Sequence, residues 1–190
     1  MRATLTRGSS TRGLNFPNKT KPNLFISITK NLKPAKLYIK AHISKYKVNE
    51  LSPLSQIKTL NYLENILARQ EAQDKNYDEG ILLNSKNAIV SAAAANIFFV
   101  TKNNEIVTPK VVDGALPGIT RDVIFEICHE EKISISEATT QLDDLKNFKE
   151  AFITNSLIEI QKISKINAIE FSSGNIINKL QGLYKKYKNV

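Results

Sequence analysis

Among the many lysines of this chain, Lys58 has a setting that would suit covalent chemistry. Lys58 follows Ile57 and leads into a run, Thr59 to Lys75, in which Leu60, Leu63, Leu67 and Ala72 fall near one helical face. An amine leaving such a packed element is partly desolvated, and can form a Schiff base with a carbonyl and then shuttle protons. Leu116-Pro117-Gly118-Ile119-Thr120-Arg121 suits a different task. Pro117 stops the preceding segment, Gly118 permits close backbone approach, and Thr120 adds a hydroxyl where a helix begins. Backbone N–H groups at a helix amino end can hold a phosphate. Thr154-Asn155-Ser156 follows a strand and brings further hydroxyls, and Arg12, in Arg7-Gly8-Ser9-Ser10-Thr11-Arg12-Gly13, could grip a carboxylate through two hydrogen bonds. Each has a plain alternative: an exposed lysine at a helix start, an ordinary helix cap, a strand-end turn, a solvated loop charge. The residues alone leave these open.

The elements that must position these groups can be read from periodicity and turn signals. Residues 1–8, Leu24–Thr29 and Leu37–Ser44 read as strands. Thr59–Lys75 reads as a helix, followed by short strands at Ile81–Leu83, Ile89–Val90, Ile97–Thr101 and Glu105–Val107. Thr120–Glu131 is expected to be helical with Val123, Ile124, Ile127 and Cys128 inward. Ile133–Ser136 and Ala151–Ile153 read as strands around a short helix near Leu142–Asn147. Asn175–Tyr187 is a final amphipathic helix carrying Ile176, Ile177, Leu180 and Leu183. Strands segregated from a few helices indicate an α+β domain.

At 190 residues and 42% hydrophobic, the chain can bury one substantial core and reads as soluble and globular. A single cysteine, Cys128, excludes a disulfide framework and fits a reducing, cytoplasmic setting. No run of 18 apolar residues suggests a membrane span. The net charge of +9 is mostly lysine and is densest at Lys185-Lys186-Tyr187-Lys188, which reads as a solvated helix tail. Without a recognition motif, this charge does not indicate nucleic-acid binding. His42 and His129 have no partners at ligand spacing, so no metal site is expected.

Four segments in this order, Ile57-Lys58-Thr59-Leu60-Asn61-Tyr62-Leu63, Asn96-Ile97-Phe98-Phe99, Leu116 to Arg121, and Thr154-Asn155-Ser156-Leu157, resemble the class IV aminotransferase family of pyridoxal 5'-phosphate (PLP) enzymes. The last segment leans toward its aminodeoxychorismate lyase branch. The resemblance implies the large domain of the fold-type IV PLP fold, a barrel-like sheet with flanking helices. It implies one domain over 1–190, with lead-in strands and the Arg-Gly loop in 1–45 and the PLP-binding core in 46–190. It implies Lys58 as the catalytic lysine. Ser91, Asn96, Ile119, Thr120 and Ser156 are implied as cofactor contacts, with Arg12 on the substrate carboxylate. Ser91 stands where the family holds a glutamate facing the pyridine nitrogen. The amino-terminal small domain of the family, with its phosphate-binding arginine, is expected to be missing. Elimination of pyruvate from 4-amino-4-deoxychorismate in folate synthesis is the implied reaction. Branched-chain or D-amino acid transamination, a non-catalytic remnant, or half of a split enzyme are the alternatives. A small amino substrate, a homodimer and a separately encoded amino-terminal half are the implied partners.

Overall fold

A computed structural model describes residues 1–30, 36–172 and 174–188. The chain divides into two compact units, Met1–Lys33 and Pro34–Val190. The first unit is an antiparallel pair, β1 (Arg2–Thr6) and β2 (Asn23–Ser27), with Arg2 opposite Ser27 and Thr6 opposite Asn23. Arg12 lies, exposed, in its connecting loop. In that loop the Arg7 guanidinium stacks over the Phe16 ring at 3.7 Å. Gly8 has φ +90°, and a Cβ there would meet the Lys21 carbonyl oxygen. Only glycine fits so close a backbone crossing.

The second unit contains β3 (Tyr38–Val48), α1 (Leu63–Asp74), β4 (Glu79–Asn84), β5 (Ala88–Ala92), β6 (Asn96–Thr101), β7 (Ile106–Thr108), α2 (Ile119–Glu130), β8 (Ile135–Glu137), β9 (Thr140–Gln141), β10 (Phe148–Asn155), β11 (Glu159–Ile166), β12 (Ile169–Glu170) and α3 (Asn175–Tyr187). The strand β3, which spans residue 45, belongs to this unit throughout. The ten strands form one mixed sheet in the order β8-β7-β6-β10-β11-β3-β4-β5-β9, with β12 on β11. The β11–β3, β3–β4 and β7–β8 pairs are parallel. The strands β5 and β6, far apart in that order, contact each other across the Ala92–Ala95 turn, and the sheet curls as a half-barrel.

Strand alternation sorts side chains to the two faces. Ile97, Phe99, Ala151 and Ile153 join Ile39, Ile81, Ile89 and Ile163 inside the curl. Phe98, Val100 and Phe152 point the other way and pack under α2 and α3 with Ile124, Ile127, Cys128, Ile177 and Leu180. Phe98 and Phe152 stack with ring centroids 4.8 Å apart. Burial there pushes the Cys128 thiol up to about 11. Much of the asparagine content serves the turns. Asn87, Asn104 and Asn167 each take positive φ between paired strands, a conformation asparagine tolerates better than most residues.

The sequence expectations for α2 and α3 match the structure within one residue, while α1 differs in two ways. It begins at Leu63 rather than Thr59, because residues 53–56 first form a separate 3-10 turn and 57–62 are irregular. Its buried face carries Ala68 and Ala72, whereas Leu60 and Leu63 are exposed. Small residues are required there, since α1 packs so closely on β4 that a Cβ at Gly80 would lie 2.5 Å from the Ala68 carbonyl oxygen. The isoleucines of β11, Ile160, Ile163 and Ile166, recur every third residue, which hides the strand from a period-two pattern. A register shift against β3 between Ile163 and Lys165 lets that spacing sit in a strand.

A polar cluster fixes α1 to β3 at its far end. Glu71 accepts hydrogen bonds from Ser44 Oγ at 2.7 Å, the Lys45 amide at 3.0 Å and Lys75 Nζ at 3.0 Å. Desolvation pulls its carboxyl upward, but these hydrogen bonds and the Lys75 charge outweigh it and bring the pKa down to about 2. A carboxyl lowered on folding stabilises the fold above its unfolded pKa, and that stability is lost as pH falls through the folded value. Stability should therefore fall between about pH 4.5 and pH 2. In Glu71→Gln this part of the acid loss should be absent, as denaturant midpoints at pH 6 and pH 3 would show.

Candidate active site

Asn96 opens β6 and lies directly opposite Thr154 near the end of β10. Its Nδ2 donates to the Leu116 carbonyl at 2.8 Å. A Cβ on Gly118 would lie 2.3 Å from Asn96 Oδ1. The strand pair and the start of α2 thus meet at one buried amide, and glycine at 118 is what allows that contact. Gly118 is the N-cap of α2 and provides no side-chain cap, so the first-turn N–H groups keep their donor capacity. Ile119 stands 83% exposed at that end while Thr120 is buried. Thr108 Oγ1 donates to the Ile97 carbonyl at 2.7 Å, securing β7 against β6.

The turn after β10 presents one exposed hydroxyl, that of Ser156. Thr154 is different. Its Oγ1 is fully buried with no hydrogen-bond partner among the described residues, and strand alternation puts Thr154 on the same face as Phe152, which packs under α2 and α3. Asn155 Oδ1 accepts the Leu157 and Ile158 amides, both at 2.9 Å, and so shapes the turn that carries Ser156. Its Nδ2 donates 2.9 Å to the Ala94 carbonyl.

Ser91 is half-buried near the end of β5, opposite Leu82 of β4. The Ala92–Ala95 turn joins it to Asn96. This turn is held by the Ala93 amide donating to the Gly80 carbonyl at 2.8 Å. The Ala93 carbonyl accepts Tyr62 Oη at 3.3 Å and Asn65 Nδ2 at 2.8 Å.

Lys58 does not enter a helix. It is exposed on the irregular stretch before α1, with Nζ 5.6 Å from the centre of the Tyr62 ring. The tie to the rest of the site runs through Tyr62, whose hydroxyl reaches Ala93. A shallow cleft of about 260 Å³ lies beside this contact, lined by Tyr62, Asn65, Arg69, Gln70, Ala93 and Ala94. Below it Arg69 pairs with Glu79 on β4. Burial of Glu79 pushes its carboxyl upward despite the neighbouring guanidinium.

Five of the sequence-derived residues, Ser91, Asn96, Ile119, Thr120 and Ser156, thus lie on three segments joined by direct contacts, and Lys58 adjoins through Tyr62. Arg12 belongs to the other compact unit. Sequence reasoning missed Asn65 and the side chain of Asn155. The signal available was a pair of amide side chains next to motif residues, and nothing local said what those amides would bind.

The family model for amino-transferase class IV matches residues 1–166. The chain belongs to that family. The Bacillus subtilis aminodeoxychorismate lyase is 28% identical over 190 residues, covering 98% of this chain and 64% of the lyase. The Bacillus licheniformis D-alanine aminotransferase is 32% identical over 118 residues, covering 62% of this chain and 41% of the relative. Among solved structures, the Thermobaculum terrenum branched-chain amino acid aminotransferase in its PLP form superposes with a TM-score of 0.84 at 25% identity, covering 97% of this chain and 62% of that one. The class IV chain described here therefore spans under two thirds of the length of these proteins. The fold is that of the fold-type IV PLP enzymes, a mixed half-barrel with flanking helices, and PLP is the cofactor of the family. Among the described residues, no helix is long and apolar enough to cross a membrane.

The residues present fit that cofactor on their own chemistry. An uncapped amino end of a 12-residue helix supplies donors for a phosphate, the exposed Ser156 hydroxyl can add another, and Lys58 supplies an amine.

Proposed function

We propose that this chain is an aminodeoxychorismate lyase-like protein that binds PLP and eliminates pyruvate from 4-amino-4-deoxychorismate, leaving 4-aminobenzoate. The observation that carries the reading is the contact set joining Asn96, the α2 amino end and the Thr154-Asn155-Ser156 turn. A lyase relative aligned over nearly the whole chain supports the same branch. PLP, when bound, supplies an electron sink that stabilises negative charge at the substrate carbon next to nitrogen. The first-turn amides at Ile119 and Thr120, with Ser156, bind the phosphate. Lys58 Nζ holds the cofactor and moves protons. Ser91 offers its hydroxyl to the ring nitrogen, a hydrogen bond without a charge. Arg12, on the other compact unit, is assigned to the substrate carboxylate by the family resemblance alone. Folate synthesis in the cytoplasm is the setting this reading implies, with a homodimer as the assembly.

A second reading, transamination of branched-chain or D-amino acids, draws on the D-alanine and branched-chain aminotransferase relatives. A non-catalytic remnant draws on Ser91, where a carboxylate is the family pattern. One experiment separates the three. PLP is added to the purified chain, the visible spectrum is scanned, and borohydride fixes any attached cofactor for peptide mapping. The chain is then given 4-amino-4-deoxychorismate, or D-alanine or leucine with 2-oxoglutarate. Pyruvate and 4-aminobenzoate in equal amounts support the lyase. Glutamate formation supports the transaminase. Attached PLP with neither product supports the remnant.

Ser91→Glu should tighten PLP binding by roughly tenfold, because a charge-assisted hydrogen bond is worth roughly twice a neutral one. The gain should appear in spectroscopic PLP titrations. Equal affinity in both proteins would mean that position 91 does not face the ring nitrogen.

A further inference from the structure

The turn between β5 and β6 is built of four alanines, Ala92 to Ala95, so it has no polar side chains and can be hydrogen-bonded only through its backbone. Two successive carbonyls of this turn are gripped by side chains from two different segments. The Ala93 carbonyl accepts Asn65 Nδ2 at 2.8 Å and Tyr62 Oη at 3.3 Å, both at the start of α1. The Ala94 carbonyl accepts Asn155 Nδ2 at 2.9 Å, from the turn that carries Ser156. The turn itself has little freedom. The Ala92 amide donates to the Ala95 carbonyl at 2.9 Å, and the Ala93 amide to the Gly80 carbonyl at 2.8 Å. Ser91 and Asn96 flank it directly. A displacement of either amide side chain must therefore be felt by the turn, and through it by the opposite segment.

We infer that Asn65 and Asn155 are positioning residues that set the Lys58 segment and the Ser156 turn in register through the alanine turn. The inference rests on the cofactor site proposed above, and it deepens that reading by assigning two residues that touch neither cofactor nor substrate. The two amides act on neighbouring peptide groups, so their effects are coupled. Asn155 does two separable things. Its Oδ1 shapes its own turn by accepting Leu157 and Ile158 amides. Its Nδ2 reaches across to Ala94. Asn155→Asp keeps the acceptor and removes the donor, so it cuts the link while leaving the local turn intact. Asn65→Asp removes the shorter of the two hydrogen bonds to the Ala93 carbonyl and leaves that of Tyr62.

The test uses the whole chain and two readouts. Without cofactor, hydrogen–deuterium exchange is followed in Asn155→Asp over residues 57–62, and in Asn65→Asp over residues 154–158. Coupling requires faster exchange in the far segment in each variant. With cofactor, affinities for PLP and for pyridoxal, which lacks the phosphate, are compared by spectroscopic titration. Asn155→Asp should weaken PLP about fivefold and narrow its advantage over pyridoxal. Asn65→Asp should instead reduce the fraction fixed on Lys58 by borohydride while leaving that advantage in place. The double variant should lose less than the product of the two single losses. Unchanged exchange in both far segments overturns the inference, as does a fall in thermal midpoint with no change in PLP affinity, selectivity or trapping. If the far segments loosen but the unsubstituted chain takes up no PLP at Lys58, the coupling stands and the cofactor reading fails.

Discussion

After borohydride reduction, Lys58→Ala should carry no PLP, while alanine at Lys45, Lys75 or Lys86 should leave attachment intact. The expected effect is all or none, because the label needs an amine at the site and only one lysine lies on the segment that contacts it. Lys36, Lys75, Lys179 and Lys188 are paired with carboxylates, which hold their ammonium groups in place elsewhere. Lys58 lies beside the Tyr62 ring, on a stretch whose next tie is the Ala93 carbonyl. That stretch is irregular rather than helical, so no i→i−4 ladder fixes the backbone at Lys58, and its side chain is exposed. Peptide mapping of the reduced protein is the measurement. A label on any other lysine in the unsubstituted chain, or an undiminished label in Lys58→Ala, would remove the basis for the assigned site.

Phe152→Ala should have the largest effect on stability, a loss of about 3–5 kcal/mol. Phe152 is fully buried and stacks on Phe98 beneath α2 and α3. Removing the ring deletes a large apolar contact and leaves a cavity. Collapse into it is opposed because the surrounding strands β6, β10 and β11 are fixed by backbone ladders. The site should suffer with the core. Phe152 lies two residues before Thr154, and α2, whose amino end is proposed to supply the phosphate donors, rests on this cluster. Urea unfolding should show a lower midpoint, and PLP affinity should fall even where the folded fraction is unchanged. A loss below about 1 kcal/mol would mean that the α2–α3 layer repacks, contrary to the fixed ladders.

The sequence alone determined the elements whose periodicity is long and clean. α2 and α3 were legible because isoleucines and leucines recur on one face over 12 or 13 residues. Strands β6 and β10 were legible as apolar runs, and the asparagine turns marked where they stop. The motif residues Lys58, Asn96, Ile119, Thr120 and Ser156 were legible as types in an order, because each is set by chemistry a few residues wide. Tertiary structure decided what no local window contains. The face that α1 buries is set by the close approach of Gly80, so alanines rather than leucines turn inward. The strand β11 is set by pairing with β10 and β3, which overrides its three-residue isoleucine spacing. Which hydroxyl of Thr154-Asn155-Ser156 is open was decided by the strand pleat, which turns Thr154 under α2 and leaves Ser156 outside. The roles of Asn65 and Asn155 were invisible for the same reason. A side-chain amide has no preferred partner in sequence, and its function appears only when folding places a particular carbonyl within hydrogen-bonding distance.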